Sequence, residues 1–225
     1  MPTNLFKQYN VKPAIAEDHK NLYYRDWVYS VARKIDITNP EDAALVRDLG
    51  IVMEQALRKY RWCAASSNNL HWNGTDKPVR VVMVPYPGLR ENITLVNPEI
   101  TGYGSWEISF IEGCASFPGR LYVVKRRTFA ELSAHLLTET GFAPVHFEYG
   151  IRNLSDQDLQ KPQSDLEKKL ISEQLKDVSL VQHEIDHLDG IVIAEKGILY
   201  SGSDKEKERR ALAELTMQEM SFSFY

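Results

Sequence analysis

A chain of 225 residues with 43% hydrophobic content can bury a full core, most simply as one domain with extensions. Its 27 basic and 31 acidic residues are well mixed and net −4, which leaves no footprint for nucleic acid. No run of about 18 apolar residues suggests a membrane span, and the start, MPTNLFKQYNVKPAIAEDHK, resembles neither a signal peptide nor a transit peptide, so a cytoplasmic protein is expected.

Residues 1–37 read as a partly helical N-terminal extension laid on the body, with Tyr23, Tyr24, Trp27 and Tyr29 clustered. Asn39-Pro40-Glu41-Asp42 is a helix start: an N-cap, proline at the first helical position, and acids in the first turn. Leu45, Leu49, Val52, Met53, Ala56, Leu57 and Tyr60 follow at helical spacing, predicting one amphipathic helix over 40–60. The texture then changes to short β-branched and aromatic runs at 79–86, 93–100, 105–110 and 120–125, with further candidate strands at 128–137 and 144–150. Residues 151–165, polar and containing Pro162, read as an inserted loop. From about 166 the apolar spacing is helical again until Gly190 stops it, and residues 201–225 form a tail with a charged amphipathic segment at 204–219. The expected fold class is α+β, with mostly antiparallel sheets packed around a long C-terminal helix, and residues 38–200 as the catalytic domain.

That second helix carries His183-Glu184-Ile185-Asp186-His187. Histidines four apart share one helix face and can grip one metal ion, while the glutamate between them can reach a water bound to that metal. Such a water with a carboxylate to take its proton is the minimum equipment for hydrolysing an amide or ester. A catalytic metal wants a third protein ligand. Zinc-protease patterns would take it from a histidine, but Ile193 stands there, or from a later glutamate such as Glu206 or Glu208. Cys114, within Glu112-Gly113-Cys114-Ala115-Ser116, is a better candidate by chemistry, since thiolates bind zinc or iron well; a buried inert cysteine is the competing reading. Only one other cysteine, Cys63, is present, too few for a disulfide framework. His71, His135 and His146 read as ordinary histidines, and Asp186 as a partner for Arg126.

Glu112-Gly113-Cys114-Ala115-Ser116 followed by Gln182-His183-Glu184-Ile185-Asp186-His187 resembles the peptide deformylase family, with Ala115 replacing that family's leucine. LVNPEI (95–100) and Arg126, twelve residues after the cysteine, also resemble the family. The resemblance implies a hydrolase that removes formyl groups from the amino termini of peptides or related N-formyl compounds. It implies one divalent metal, Fe2+ by preference with Zn2+, Ni2+ or Co2+ as alternatives, bound by Cys114, His183 and His187. Glu184 would be the proton carrier, the Ala115 N–H an oxyanion donor, and Gly113 part of the substrate-binding edge. Nascent chains at the ribosome are an implied partner; nucleic acid and membrane are not.

The family's first motif, Gly-x-Gly-x-Ala-Ala-x-Gln, is largely rewritten as Tyr60-Arg61-Trp62-Cys63-Ala64-Ala65-Ser66-Ser67. Tyr60 and Trp62 replace the glycines that flank substrate, and Ser67 takes the position of a glutamine that donates to the oxyanion. Asn68 or Asn69 is a candidate to supply that amide instead. A catalytically weak homologue acting as a binding protein, and a metallopeptidase, are the alternatives.

Overall fold

The computed structural model describes residues 5–16, 22–89, 91–154 and 164–200. Two short helices, α1 (Leu5–Gln8) and α2 (Leu22–Val28), and a two-residue strand, β1 (Lys12–Pro13), precede the long helix α3 (Pro40–Tyr60). The α3 cap forms as its sequence dictates: the Asn39 side-chain oxygen accepts the Glu41 N–H at 2.9 Å, satisfying a donor the helix cannot. Val46, Leu49, Val52, Met53, Ala56 and Leu57 make the buried stripe. At the other end Arg61 adopts a left-handed conformation (φ 57°), and the Trp62 N–H closes onto the Leu57 carbonyl at 3.1 Å, so the chain turns sharply out of the helix.

The strands that follow are β2 (Ala65–Ser66), β3 (Leu70–His71), β4 (Val81–Pro85), β5 (Asn92–Tyr103), β6 (Glu107–Gly113), β7 (Leu121–Arg127), β8 (Phe129–Thr138) and β9 (Gly141–Gly150). Beyond them lie α4 (Asp165–Leu188), α5 (Ile193–Lys196) and β10 (Ile198–Leu199). All six runs expected to be strands form strands. They sort into a five-stranded sheet, β2-β4-β5-β8-β9, and a three-stranded one, β10-β7-β6, antiparallel throughout, with β1 and β3 as a separate pair. The α+β architecture with a long C-terminal helix is therefore the one that forms.

Helix α4 begins with a reciprocal cap, Ser164 Oγ accepting the Glu167 N–H while Glu167 accepts from Ser164. Its first half is solvated; its second half buries Val178, Val181, Ile185 and Leu188 against β4, β8 and β9, while Leu175 packs with Phe110 of β6 and with Leu154. Gly190 ends it with φ +74°, where a Cβ would come within 2.6 Å of the Tyr29 carbonyl oxygen. The N-terminal segment is more than an extension laid on the body. Val11, Ala14, Trp27 and Val28 belong to the main core, and β1 pairs with β3. The Trp27 indole donates to the Ser67 carbonyl, and the Asn68 amide donates to the Ser30 carbonyl at 2.8 Å. Most of the expected 151–165 loop, and all of the 201–225 tail with its amphipathic segment and Glu206 and Glu208, lie outside the described residues. No described helix is long and apolar enough to cross a membrane.

Candidate active site

Strand β6 ends at Gly113, so Cys114 is the first residue off the strand. A tight turn fixes it: the Phe117 N–H reaches the Cys114 carbonyl at 3.0 Å and the Ser116 N–H reaches Cys114 Sγ at 3.4 Å. Helix α4 brings His183 and His187 to the same point from the other side. Cys114 Sγ lies 3.2 Å from His187 Nε2, which lies 3.2 Å from His183 Nε2. All three are buried, and their donor atoms fall within 4.8 Å of one another; among the described residues no other group of three His, Cys, Asp or Glu side chains does so.

Glu112 orients the cluster. Its Oε2 sits 3.0 Å from His183 Nδ1, so that nitrogen donates to the carboxylate and Nε2 is the ring atom turned toward Cys114 and His187. Arg126 holds the same carboxylate with both arms, at 2.9 and 2.8 Å, and Ser179 donates to it at 2.6 Å. Arg126 also pairs with Asp186, which Lys196 meets from its far side at 2.6 Å. Burial alone would raise Glu112, but the guanidinium overrides it and keeps the carboxylate ionised well below the usual range. Burial likewise opposes ionisation of Cys114, yet the two imidazoles hold its thiol well below the ordinary value, and His183 is raised against its own burial by Cys114 and Glu112. A thiolate and two imidazole nitrogens, all buried and converging on one point, fit a divalent transition metal.

Glu184 projects beside this cluster. Burial is the main cause of its raised pKa, the imidazoles and the Ser66 hydroxyl acting the other way, and its Oε2 is buried without a hydrogen-bond partner among the described residues. It lines a cavity of about 620 Å³ shared with Cys114, His183, Gly113 and Ala115, and Tyr60, Trp62 and Asn69 line it too.

Ser67 does not join them. It is fully buried, its hydroxyl donating to the Val79 carbonyl at 2.5 Å and accepting the Val79 N–H at 3.1 Å. The expected role at that position fails for a physical reason: the chain leaves β2 in a 3-10 turn, Ser67–Asn69, which turns Ser67 toward Val79 and carries a later residue to the cavity. Asn68 is committed to the α2 end, so Asn69 is the amide that reaches the wall. Asn69 Oδ1 accepts both the Ser66 N–H (2.8 Å) and the Ser66 hydroxyl (2.9 Å), which fixes its amide nitrogen as the donor end, donating to Ser116 Oγ at 3.4 Å. Ser66 and Ser179 escaped sequence reasoning, since serines carry no spacing signal. Gln182 turns out to brace the helix, donating to the Arg127 carbonyl at 2.8 Å. His71, by contrast, packs against Trp27, away from the metal-type cluster.

The family model of polypeptide deformylases matches residues 23–142, more than half of the 225. The chain belongs to the polypeptide deformylase family. The match takes in Cys114 but stops short of α4, so the His183–His187 helix is a separate observation that agrees with it. It also begins inside the N-terminal segment, in keeping with the burial of Trp27 and Val28. Among solved structures, a mutant of peptide deformylase 1B of Arabidopsis thaliana aligns with a TM-score of 0.57 at 19% identity, covering 91% of this chain and 88% of that one. The Thermotoga maritima peptide deformylase gives 0.58 at 15% identity, covering 84% and 97%. A Met-Ala-Ser-bound class I type b enzyme from Acinetobacter baumannii gives 0.52 at 20% identity, covering 76% and 92%. At such identities the likeness speaks for the fold. No curated protein matches the chain.

Proposed function

We propose that this deformylase-family hydrolase removes the formyl group from N-formylated peptides, by attack of a water whose proton Glu184 takes. One observation carries this reading: the unpartnered, buried Glu184 Oε2 shares a cavity with the converging Cys114, His183 and His187 donors. A divalent ion held by those three, with Fe2+ the first choice, would supply a Lewis acid that acidifies water and polarises the formyl carbonyl.

The chain's own residues do the rest. Burial raises the proton affinity of the Glu184 carboxylate, which suits it to accept the proton of the attacking water and return it to the departing amine nitrogen. As the carbonyl oxygen becomes an oxyanion it needs donors placed in advance. The Asn69 amide, locked by Ser66, and the main-chain N–H of Ala115 are the donors proposed for it. The C–N bond then breaks, leaving formate and a free amino terminus. Gly113, Tyr60 and Trp62 are the proposed substrate walls. The peptide in the Acinetobacter relative supports a peptide ligand, and nascent chains leaving the ribosome in the cytoplasm are its proposed source.

Formyl-Met-Ala-Ser incubated with the metal-loaded protein tests this directly. Equimolar formate and Met-Ala-Ser are expected. Release of amino acids from unformylated Met-Ala-Ser would replace the proposal with a peptidase, and a stably bound metal without either product would replace it with a binding protein.

A further inference from the structure

Resting on the deformylation reading above, we propose that Trp62 makes this site selective for substrates whose formylated residue carries a planar aromatic side chain. The observation is a column of rings that ends at the cavity. Phe6 of α1 leans on Tyr60 at 6.1 Å and 52°, and Tyr60 stacks on Trp62 at 5.0 Å and 28°. Lys59 adds its ammonium 4.4 Å from the Phe6 ring and 5.1 Å from the Tyr60 ring. Tyr60 is thus occupied on its outer side by Phe6 and Lys59 and on its inner side by Trp62. Trp62 has no ring neighbour beyond Tyr60 among the described residues, and it lines the cavity.

The backbone fixes this arrangement. Arg61 in the left-handed region and the Trp62 N–H bond to Leu57 reverse the chain at the end of α3, folding the indole back onto the tyrosine two residues before it. A preformed stack of this kind needs little ordering to receive a further ring, so the contact is inexpensive in entropy. The cavity lining that Trp62 joins is mixed: Cys63, Ala64, Pro118 and Leu180 are small or apolar, and Arg61 and Arg120 add charge. The reacting groups, Glu184 and the Cys114 cluster, border the same space. A formyl group at that cluster therefore leaves the side chain of its own residue to meet the indole face. Offset stacking then separates a planar ring from an aliphatic chain of similar apolar area.

Calorimetry on the metal-loaded protein with the product tripeptides Phe-Ala-Ser and Leu-Ala-Ser reads this contact without turnover. Phe-Ala-Ser is expected to bind about fivefold more tightly, the size of one ring–ring contact. Trp62→Leu should erase the difference and Trp62→Phe should retain part of it, both with unchanged metal content. If Trp62→Leu melts too low to assay, Trp62→Met takes its place. Equal binding of the two peptides by the wild type, no binding of either, or a preference that survives loss of the indole would overturn the proposal. Formate release from formyl-Phe-Ala-Ser and formyl-Leu-Ala-Ser, measured in parallel, separates the two claims. Discriminating binding without formate leaves Trp62's role standing and removes deformylation; formate without discrimination does the reverse.

Discussion

At Asn69 the two ends of one side chain do different jobs. Ser66 holds the oxygen with two hydrogen bonds, and the nitrogen, left as the donor end of a side chain that lines the cavity, reaches Ser116 Oγ at 3.4 Å. If that nitrogen stabilises the oxyanion, Asn69→Ala should lower kcat for formate release by about a hundred- to a thousandfold with KM little changed. A drop of less than about threefold in steady-state assays would remove Asn69 from the chemistry. Cys114 makes a different claim, on metal rather than rate. Cys114→Ala should reduce bound metal, measured by elemental analysis after dialysis, well below one per chain, because two imidazoles alone leave the ligand set short. These residues differed in legibility. The histidine pair could be read because four-residue spacing on a helix forces a shared face. The glutamine substitute could not, because counting along the motif assumes continuous strand, and the 3-10 turn at Ser67–Asn69 breaks that count.

Helix α4 is the element on which the site depends, and charge ties it to the smaller sheet. Glu112 on β6, Arg126 on β7 and Asp186 on α4 form one charged run, buried at Glu112 and Arg126 and half-buried at Asp186. Removing the cation leaves Glu112 ionised without its partner, so Arg126→Leu should cost about 3–5 kcal/mol, read by urea unfolding. Equal stability of variant and wild type would mean that the run contributes nothing net. Helix geometry tells only that Asp186 points away from the metal face; its pairing with Arg126 is a guess that the structure bears out. The grip of Arg126 on Glu112 depends on the β6–β7 register and could not be counted from sequence. The same helix carries a cost at Asp177, whose carboxyl is pushed up to about 6, chiefly by burial. Folding there favours the neutral form, so its contribution is best below the unfolded pKa of about 3.9 and is lost as pH rises through 6. Asp177→Asn should therefore raise Tm at neutral pH, by the equivalent of about 0.5–1 kcal/mol after allowance for solvent screening, and converge with the wild type below about pH 4. A Tm difference that does not vary with pH would contradict this.

Across the molecule, the cavity draws on both sheets and the long helix: the β6 end supplies Gly113 and Cys114, the stretch around β2 supplies Trp62 and Asn69, and α4 supplies the histidines and Glu184. The strand runs and both long helices were legible because periodicity of two or of about 3.6 survives in a single sequence. The role of the first 37 residues was not, because it rests on non-local pairing of β1 with β3 and on Trp27 reaching Ser67, contacts without a local pattern. The central claim remains hydrolysis of a formamide with Glu184 carrying the proton. Its most direct measurement is kcat/KM for formate release from formyl-Met-Ala-Ser by the Fe(II)-loaded wild type beside Glu184→Ala at matched metal content. A loss of about a hundred- to ten-thousandfold in the variant is predicted, with one metal per chain in both. Formate released equally by the two proteins, or by neither while both hold their metal, would contradict it.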